Sequence, residues 1–563
     1  MEKVVKLQII RIQTVRELML YKGFWDGILE AEQNDNPFIE FAWFQKWWQI
    51  VGANEQVVVY AVQQDKAIIG FFPFSIKKTW GITIFSCTGE NIANYSGSIV
   101  RKEWLMETVS FVFDEILKRH RHVLFSFHGL LESGLFSKII EQYFVERQAH
   151  VSIFRVVTPY FAFGQTDFPA YFNSRRKMDS LDQREQKLRD LGSLSCRAPE
   201  HHELGQMFKL FDRHWSKKID TSGFTVGKKK AFFEQLVLMG DEAIKIEVDA
   251  LIFENQWIAF TYGIGCRGRY VMYAFGHEPN FDLFGAGRLV HQETMKRAFS
   301  QQYKLVDVGT SYEPYKFDGH TGIDFTRKVL VSGETKRAKL CQMYLATKEH
   351  VKAMFKRNRR IVAWKRNIVG PWRYLVKQGR MKDWLHYGQQ FFGRIFSFKQ
   401  VDVYELAKSA ATIPRRPVGQ LYEEMQIQEA MQLEQDNLIS LFYKGYTVYK
   451  DCFAKTSNRA FALHAQQWRI DALEIVESLP EHTYFLAHDD KQNIEVITAF
   501  FQKMKPTQAL WVTASFWQWR KRRRLQQLGF KRITHMKHIK CGRFVRSQVK
   551  KYSEDGGGIH SIN

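Results

Sequence analysis

The stretch from Arg269 to Lys316 gathers the residue types that could bind an anion and move a proton. Gly285-Ala286-Gly287-Arg288-Leu289 open a run whose apolar residues (Leu289, Val290, Met295, Ala298, Phe299) recur at helical spacing. The glycines therefore stand where the first N–H groups of a helix lack partners, and those donors, with the helix dipole, attract phosphate. Glycine permits positive φ and leaves no Cβ in a ligand's way, while Arg288 offers charge-assisted hydrogen bonds. A pyrophosphate fits such a cradle; a structural turn is the plain alternative. The spacing is neither G-x-x-x-x-G-K-[ST] nor a full G-x-G-x-x-G, which disfavours a nucleoside triphosphatase and an ordinary dinucleotide fold. Beyond it, Asp307, Tyr312, Glu313, Tyr315 and Lys316 bring two carboxylates, two phenols and an ammonium to the exit of the next strand.

The elements that must hold these groups are readable around them. Ile244 to Phe253, Trp257 to Cys266 and Arg269 to Ala274 read as successive antiparallel strands, the first two joined at Asn255. A helix from Gly287 to Gln301 leads into a strand from Leu305 to Val308. Residues 1–158 repeat the order: a strand, two helices, strands Gln56 to Val62 and Ala67 to Ile76 about the turn Gln64-Asp65, helix Trp104 to Arg119, and strand His122 to Phe127. This first lobe has glycines at Gly89 and Gly97 in SCTGENIANYSGS, but no helix start of the Gly-Ala-Gly kind follows them.

In this order of elements the chain resembles the GCN5-related acetyltransferase superfamily. There the loop after the fourth strand binds the pyrophosphate of acetyl-CoA, and the fourth and fifth strands splay to admit the pantetheine arm. The superfamily's usual leading Gln or Arg is absent from LFGAGRL. The closer resemblance is to the CelD-type acetyltransferases of bacterial polysaccharide synthesis, related to the Fem peptidyltransferases. It rests on NPFIEFAWFQKWW (Asn36 to Trp48), the GAGRL loop and FSQQYKLVDVGTSYEPYK (Phe299 to Lys316), and spans roughly residues 30–335. It implies an α/β (α+β) fold class: tandem acetyltransferase-like lobes with mixed, mainly antiparallel central sheets, a basic helical segment and a third, degenerate acetyltransferase-like domain.

The resemblance also implies roles. Acetyl-CoA is the expected cosubstrate, held by Gly285, Ala286, Gly287, Arg288 and Leu289, with the backbone of Tyr273 and Ala274 at the thioester oxygen. Glu313 is the first choice for general base, because it lies in the loop beyond the strand. Tyr315 would protonate the thiolate or orient the acceptor, and Asp307 and Tyr312 complete the catalytic candidates. Lys316 would bind an anionic acceptor, joined by Asn94 and Tyr95 from a polar loop of the first lobe. Plain alternatives stand beside these: Asp307 as an anchor of the following turn, Tyr315 as a core residue, and Asn94-Tyr95 as a surface turn. The expected activity is an acyltransferase acting on an amino sugar or envelope-polysaccharide precursor. The alternatives are an aminoacyl-tRNA-dependent peptidyltransferase and a noncatalytic scaffold.

Composition sets bounds on partners. The chain has 563 residues, 45% of them hydrophobic, and a formal charge of 82 minus 59, or +23, so an anionic partner is expected. Six scattered cysteines form no C-x-x-C, and adjacent His201 and His202 point apart on a helix, with His214 one face away, so no metal is expected. The opening MEKVVKLQIIRIQTV has no continuous apolar core and no run reaches about 18 apolar residues, so a cytoplasmic enzyme without a membrane span is expected, at most peripheral at the inner face of the membrane.

The remaining segments are 159–340 (the acyl-CoA-binding lobe), 341–412, 413–546 and 547–563. The second lobe opens on a charge-dense helix, Asn173 to Gly192, that reads as a solvated face. Thr347 to Lys399 carry 14 Lys/Arg against Glu349 and Asp383, interleaved with aromatics and broken at Gly370-Pro371. Such a segment can lie on an anionic bilayer, grip a polyanion such as tRNA, or pack its rings on the enzyme. After a linker at Pro414 to Pro417, the strands, helix Asn493 to Met504 and LQQLGFKRI (Leu525 to Ile533) read as a coenzyme-free domain. Its run Arg520 to Arg524, beside Trp517 and Trp519, is a second polyanion candidate. The tail Ser553 to Asn563 reads as disordered.

Overall fold

The structure is a computed structural model. It describes residues 7–90, 92–164, 179–215, 224, 227–241, 243–310, 312–357, 369, 372, 376, 396–406, 422–433, 438–451, 460–470, 475–488, 494–504, 508–541, 544–552 and 560–562. The expected helix break at Gly370-Pro371, the linker Pro414–Pro417 and most of the tail lie outside these residues. The chain divides into two compact units: one of residues 1–183 and 194–373, the other of residues 184–193 and 374–563.

The first unit opens with β1 (Leu7–Ile12), α1 (Val15–Met19), α2 (Lys22–Ala31) and α3 (Phe41–Ile50). Next come β2 (Gln56–Gln64), β3 (Ala67–Thr79), β4 (Ile82–Cys87), β5 (Ile99–Val100), α4 (Leu105–Arg119), β6 (Val123–Leu131), α5 (Leu135–Glu146) and β7 (Val151–Ala162). After α6 (Asp179–Leu191), which from residue 184 on belongs to the second unit, the pattern repeats as β8 (Leu194–Arg197), α7 (Leu204–Trp215), α8 (Lys228–Leu238), β9 (Lys245–Phe253), β10 (Gln256–Cys266) and β11 (Arg269–His277). It closes with α9 (Ala286–Ser300), β12 (Leu305–Asp307), β13 (Gly322–Ser332) and α10 (Lys336–Arg357).

One sheet runs through both lobes in the order β1-β2-β3-β4-β6-β13-β7-β12-β11-β10-β9-β8, with β5 paired to β3 off that path. Each half is an antiparallel meander ending in one parallel pair, β4 with β6 and β11 with β12. At the centre the lobes exchange strands. β7, which follows the first lobe, pairs with β12 of the second, and β13, which follows the second, pairs with β6 of the first. The boundary expected at 158 thus falls inside β7.

Both faces of this sheet are covered, as β2 illustrates: Val57, Val59 and Ala61 feed one core and Val58, Tyr60 and Val62 the other. The first core is shared by the lobes. Aromatic helix α3 lays Trp43 edge-on against Phe232 of α8 at 5.5 Å, and Trp43, Phe44 and Trp47 are fully buried. Each such ring is worth on the order of 2–3 kcal/mol of burial. NPFIEFAWFQKWW is therefore the seam between lobes. Its Glu40, also fully buried, pairs with Arg267 in the β10–β11 turn, and Arg267 also donates to Asn34 O at 2.7 Å.

The second unit contains β14 (Phe396–Leu406), β15 (Tyr422–Glu424), α11 (Ile427–Gln432), α12 (Leu438–Tyr443), β16 (Thr447–Asp451), β17 (Ala460–His464), β18 (Gln467–Ile470) and β19 (Ile475–Ser478). It continues with β20 (Thr483–His488), α13 (Ile494–Met504), β21 (Ala509–Ser515), α14 (Trp519–Gln527), β22 (Lys531–Cys541), β23 (Phe544–Lys551) and β24 (His560–Ile562). Its main sheet repeats the lobe pattern: β20 and β21 form the parallel pair, α13 connects them, and β14, arriving from earlier in the chain, lies antiparallel between β21 and β22.

Candidate functional site

Strands β11 and β12 pair over three positions, Arg269↔Leu305, Tyr270↔Val306 and Val271↔Asp307, after which β11 runs on to His277 paired with β10 but not with β12. Where they part, β11 carries a bulge. The β10 register jumps from Tyr262↔Ala274 to Gly263↔Met272, leaving Tyr273 without an opposite residue. A bulge bends its strand and re-aims the local backbone, here beside the widening gap. The Tyr273 hydroxyl donates to Ile92 O at 2.7 Å, which ties its side chain to the first lobe.

Helix α9 closes the far end of β11. Its N-cap Gly285 is left-handed, at φ 74°, a conformation that favours glycine. Of the five N–H groups expected bare between 285 and 289, three are taken: Gly285 donates to Asp282 O at 3.1 Å, and Arg288 and Leu289 donate to Gly285 O at 2.8 and 3.0 Å. The helix begins its own ladder sooner than the motif suggests. Among the described residues nothing accepts from the N–H groups of Ala286 and Gly287. A Cβ on Gly287 would lie 2.7 Å from His277 Nδ1, so that approach requires glycine. The Ala286 and Leu289 side chains are core, and Arg288 is 3.6 Å from Asp318 in an exposed pair.

A buried polar network fixes the tilt of α9. Arg297 donates to Asp249 at 2.7 Å and to the Tyr270 hydroxyl at 2.9 Å and pairs with Glu247, while Thr294 donates to Asp249 at 2.7 Å. These residues tie the helix to β9 and β11, and so fix where its N-terminus points.

The carboxylates and phenols divide. Asp307 is 1% exposed, takes a hydrogen bond from Gly309 N–H at 2.7 Å and pairs with Arg269 at 3.1 Å. Burial raises its pKa, yet both its oxygens are engaged, which makes it an anchor of the turn. Tyr312 is 67% exposed, turned into solvent. Glu313, Tyr315 and Lys316 come together: the Tyr315 hydroxyl donates to Glu313 at 3.2 Å, and Lys316 Nζ is 3.6 Å from the same carboxylate. Tyr315 also lies edge-on to Phe275 of β11, ring centroids 5.2 Å apart, spanning the gap. Burial pushes the Tyr315 hydroxyl up, with the Glu313 charge adding to it, and burial pushes the Lys316 ammonium down.

The first-lobe candidates reach this turn from the other side. A Cβ on Gly309 would lie 3.2 Å from Asn94 Nδ2, so Asn94 borders the turn. Tyr95 is 1% exposed and so closed to an acceptor, because its loop folds down onto β6. Its hydroxyl faces Asp307 without reaching hydrogen-bond geometry; burial and that carboxylate push its pKa well up.

Three histidines join the site without having been assigned a role from sequence. His277 Nε2 meets Asp282 at 2.5 Å, its Nδ1 has no partner among the described residues, and its ring stands 4.1 Å from that of His214. His291 of α9 is held at a pKa of about 4 by burial, and its Nε2 has no partner among the described residues. The available signal was position: His277 ends the strand before the glycine loop. Among the described residues no group of three His, Cys, Asp or Glu side chains could hold a metal ion, and no helix is long and apolar enough to cross a membrane.

Residues 174–317 match the family model described as an acetyltransferase (GNAT) domain. No curated protein matches the chain. Among solved structures the chain is similar to FemX (10% identity, 57% of this chain and 96% of that one, TM-score 0.37). It is also similar to a tandem GNAT protein from the clavulanic acid biosynthesis pathway (9% identity, 58% and 98%, TM-score 0.36). A third is a GCN5-related N-acetyltransferase from Sphaerobacter thermophilus (10% identity, 58% and 95%, TM-score 0.29).

Proposed function

We propose that the second lobe is an acetyl-CoA-dependent N-acyltransferase of the CelD type, acting on the amine of an amino sugar or another envelope-polysaccharide precursor. One observation supports this reading: a bulged strand parts from its parallel neighbour beside a helix whose first two N–H groups have no partner among the described residues. The residues fit the coenzyme. Two donors without an acceptor among the described residues, at the positive end of a helix dipole, suit a diphosphate.

The thioester supplies an acyl carbonyl open to attack and a sulfur that leaves. The main chain of Tyr273 and Ala274 donates to the carbonyl oxygen as charge builds on it. Glu313 takes the proton that the attacking amine loses. Tyr315 gives its hydroxyl proton to sulfur and recovers one from Glu313 along their 3.2 Å contact, so one proton leaves nitrogen and one arrives at sulfur. Once Glu313 is protonated its charge no longer raises Tyr315, which eases the transfer. Lys316 and Asn94 face the acceptor. Calorimetry of the full chain with acetyl-CoA tests the reading: binding that disappears in Gly287→Glu is expected, and no binding to the unmodified chain overturns it.

A second reading, transfer from aminoacyl-tRNA, draws on the second unit. From Ala509 to Tyr552 the chain has 13 Lys/Arg and no Asp or Glu, with Trp517 and Trp519 exposed. Exposed rings among cations suit a nucleic acid. tRNA binding that weakens steeply between about 50 and 200 mM salt, together with no acetyl-CoA binding, would favour it.

A further inference from the structure

Helix α10 has two apolar faces, and the first unit uses one. Ala338 and Cys341 are buried, the latter with Ile82 of β4 and Leu124 of β6. Gln342 pins the helix there, donating to Leu330 O and His150 O at 2.8 Å each and accepting from Ser332 N–H at 3.1 Å. The opposite face is thereby fixed outward. Leu340 and Met343 are each 65% exposed, and Met354, farther along the helix, 61%. Trp80, at the tip of the β3–β4 hairpin and 67% exposed, reaches the same face and meets the Tyr344 ring edge-on at 5.4 Å.

Cations surround this patch. Lys77 and Lys78 flank the hairpin tip, and Lys336, Arg337 and Lys339 fill the first turn of α10; all are exposed. The His122–Thr335 hydrogen bond at 3.0 Å brings Arg121 to the foot of the helix. None of these six has an acidic partner among the described residues, and Glu334 is the carboxylate nearest in sequence.

We infer that this face, Trp80 with the outer side of α10, is a docking surface for an anionic lipid bilayer. Charge selects the occupant. A second copy would set one cationic ring against another, and the following stretch of this chain, 14 Lys/Arg to two acids over 347–399, has the same sign. Exposed Leu and Met have no use on a nucleic acid. Aliphatic groups, a Trp–Tyr pair and flanking Lys/Arg are what a headgroup boundary accepts: apolar groups at the acyl edge, rings at the interface, cations against anionic headgroups. The surface belongs to the first unit alone and does not depend on the acyl-donor reading. A bilayer site would hold the enzyme beside a lipid-linked acceptor.

Co-sedimentation of the full chain with phosphatidylcholine vesicles, and with vesicles of equal parts phosphatidylcholine and phosphatidylglycerol, tests it. Binding to the anionic vesicles alone is expected. Lys336→Glu with Lys339→Glu should weaken it by about tenfold or more. Trp80→Ser with Leu340→Ser should weaken it with unchanged circular dichroism and acetyl-CoA affinity, since every substituted side chain is exposed. Equal binding to both vesicles, binding to neither, or binding unchanged in both variants overturns the inference. So does a dimer, seen by equilibrium sedimentation, that Leu340→Ser dissociates.

Discussion

Two helices of equal length, α4 and α9, occupy corresponding places in the two lobes, each leading from the meander into the parallel strand. They begin differently. In the first lobe the chain after β4 folds back over β6, with Ser96 N–H donating to Gly129 O at 3.0 Å, and Tyr95 buries itself in that layer. At the approach to α4, a protein carboxylate is already present: Glu32 accepts from Lys102 N–H at 3.2 Å and pairs with its ammonium at 3.4 Å. In the second lobe a left-handed glycine turns the chain straight into α9 and leaves two donors bare. The first lobe brings its own polypeptide and a carboxylate to the start of its helix; the second leaves the N–H groups of Ala286 and Gly287 without an acceptor among the described residues.

The carboxylates after the parallel strands differ in the same sense. Glu132, after β6, is grasped by Arg155 at 2.8 Å and Arg327 at 2.5 Å; burial works against its charge, but these two cations hold its pKa down. Glu313, after β12, accepts from the Tyr315 hydroxyl and pairs with Lys316. The largest expected effect breaks or confirms that contrast. Glu313→Gln should lower kcat by about 10²–10⁴ with acetyl-CoA affinity retained, as for loss of a general base. Glu132→Gln should leave kcat unchanged. Steady-state kinetics of both variants decide it, and equal losses would end the distinction between the lobes.

Next in size is the seam itself. Glu40→Ala leaves Arg267 half-buried and unpaired, and breaking such a pair from one side costs about 3–5 kcal/mol. Urea unfolding of the full chain should show it in whichever transition reports the first unit. A loss under about 1 kcal/mol would mean that the lobes are held by the aromatic core alone. Third is the cradle: Gly287→Val should weaken acetyl-CoA at least about tenfold, because its Cβ meets His277 Nδ1, whereas Lys102→Val at the approach to α4 should not change it. Calorimetry on the two variants compares the lobes directly.

What could be read in advance follows from how local each signal is. The strands and helices of both lobes carry their own periodicity, and Gly285 announces a turn by residue type. β7 and β13 are alternating strands like any other, and nothing in either names its partner; the exchange is settled by pairings such as Leu305↔Ala162 and Leu330↔Ser126, between residues far apart in sequence. Glu40 looks like a helix entrance from its neighbours, and its role depends on Arg267, more than two hundred residues away. Within the site, the grouping of Glu313, Tyr315 and Lys316 was visible as spacing. The occupied N–H groups of Arg288 and Leu289 were not, because whether a helix starts at its glycines or after them depends on one backbone angle.

The smallest effect concerns two histidines, one per lobe. His128 of β6 and His291 of α9 are both held at pKa values of about 4 by burial, and each keeps one ring nitrogen without a partner among the described residues. An unfolded histidine titrates near 6.5. Below that pH the unfolded chain binds protons that the folded chain refuses, so the stability these residues permit is intact above about 6.5 and drains away as pH falls toward 4. Each contributes on the order of 3 kcal/mol across that window. Replacing either by Gln should flatten the fall in Tm between pH 6.5 and 4. The lobes then separate by ligand: if the N-terminus of α9 takes the diphosphate as proposed, coenzyme A should shift the pH dependence of the chain that retains His291, which sits on that helix, and should leave the contribution of His128 as it was. Equal shifts for both would mean that the ligand stabilises the sheet as a whole and does not single out the second cleft.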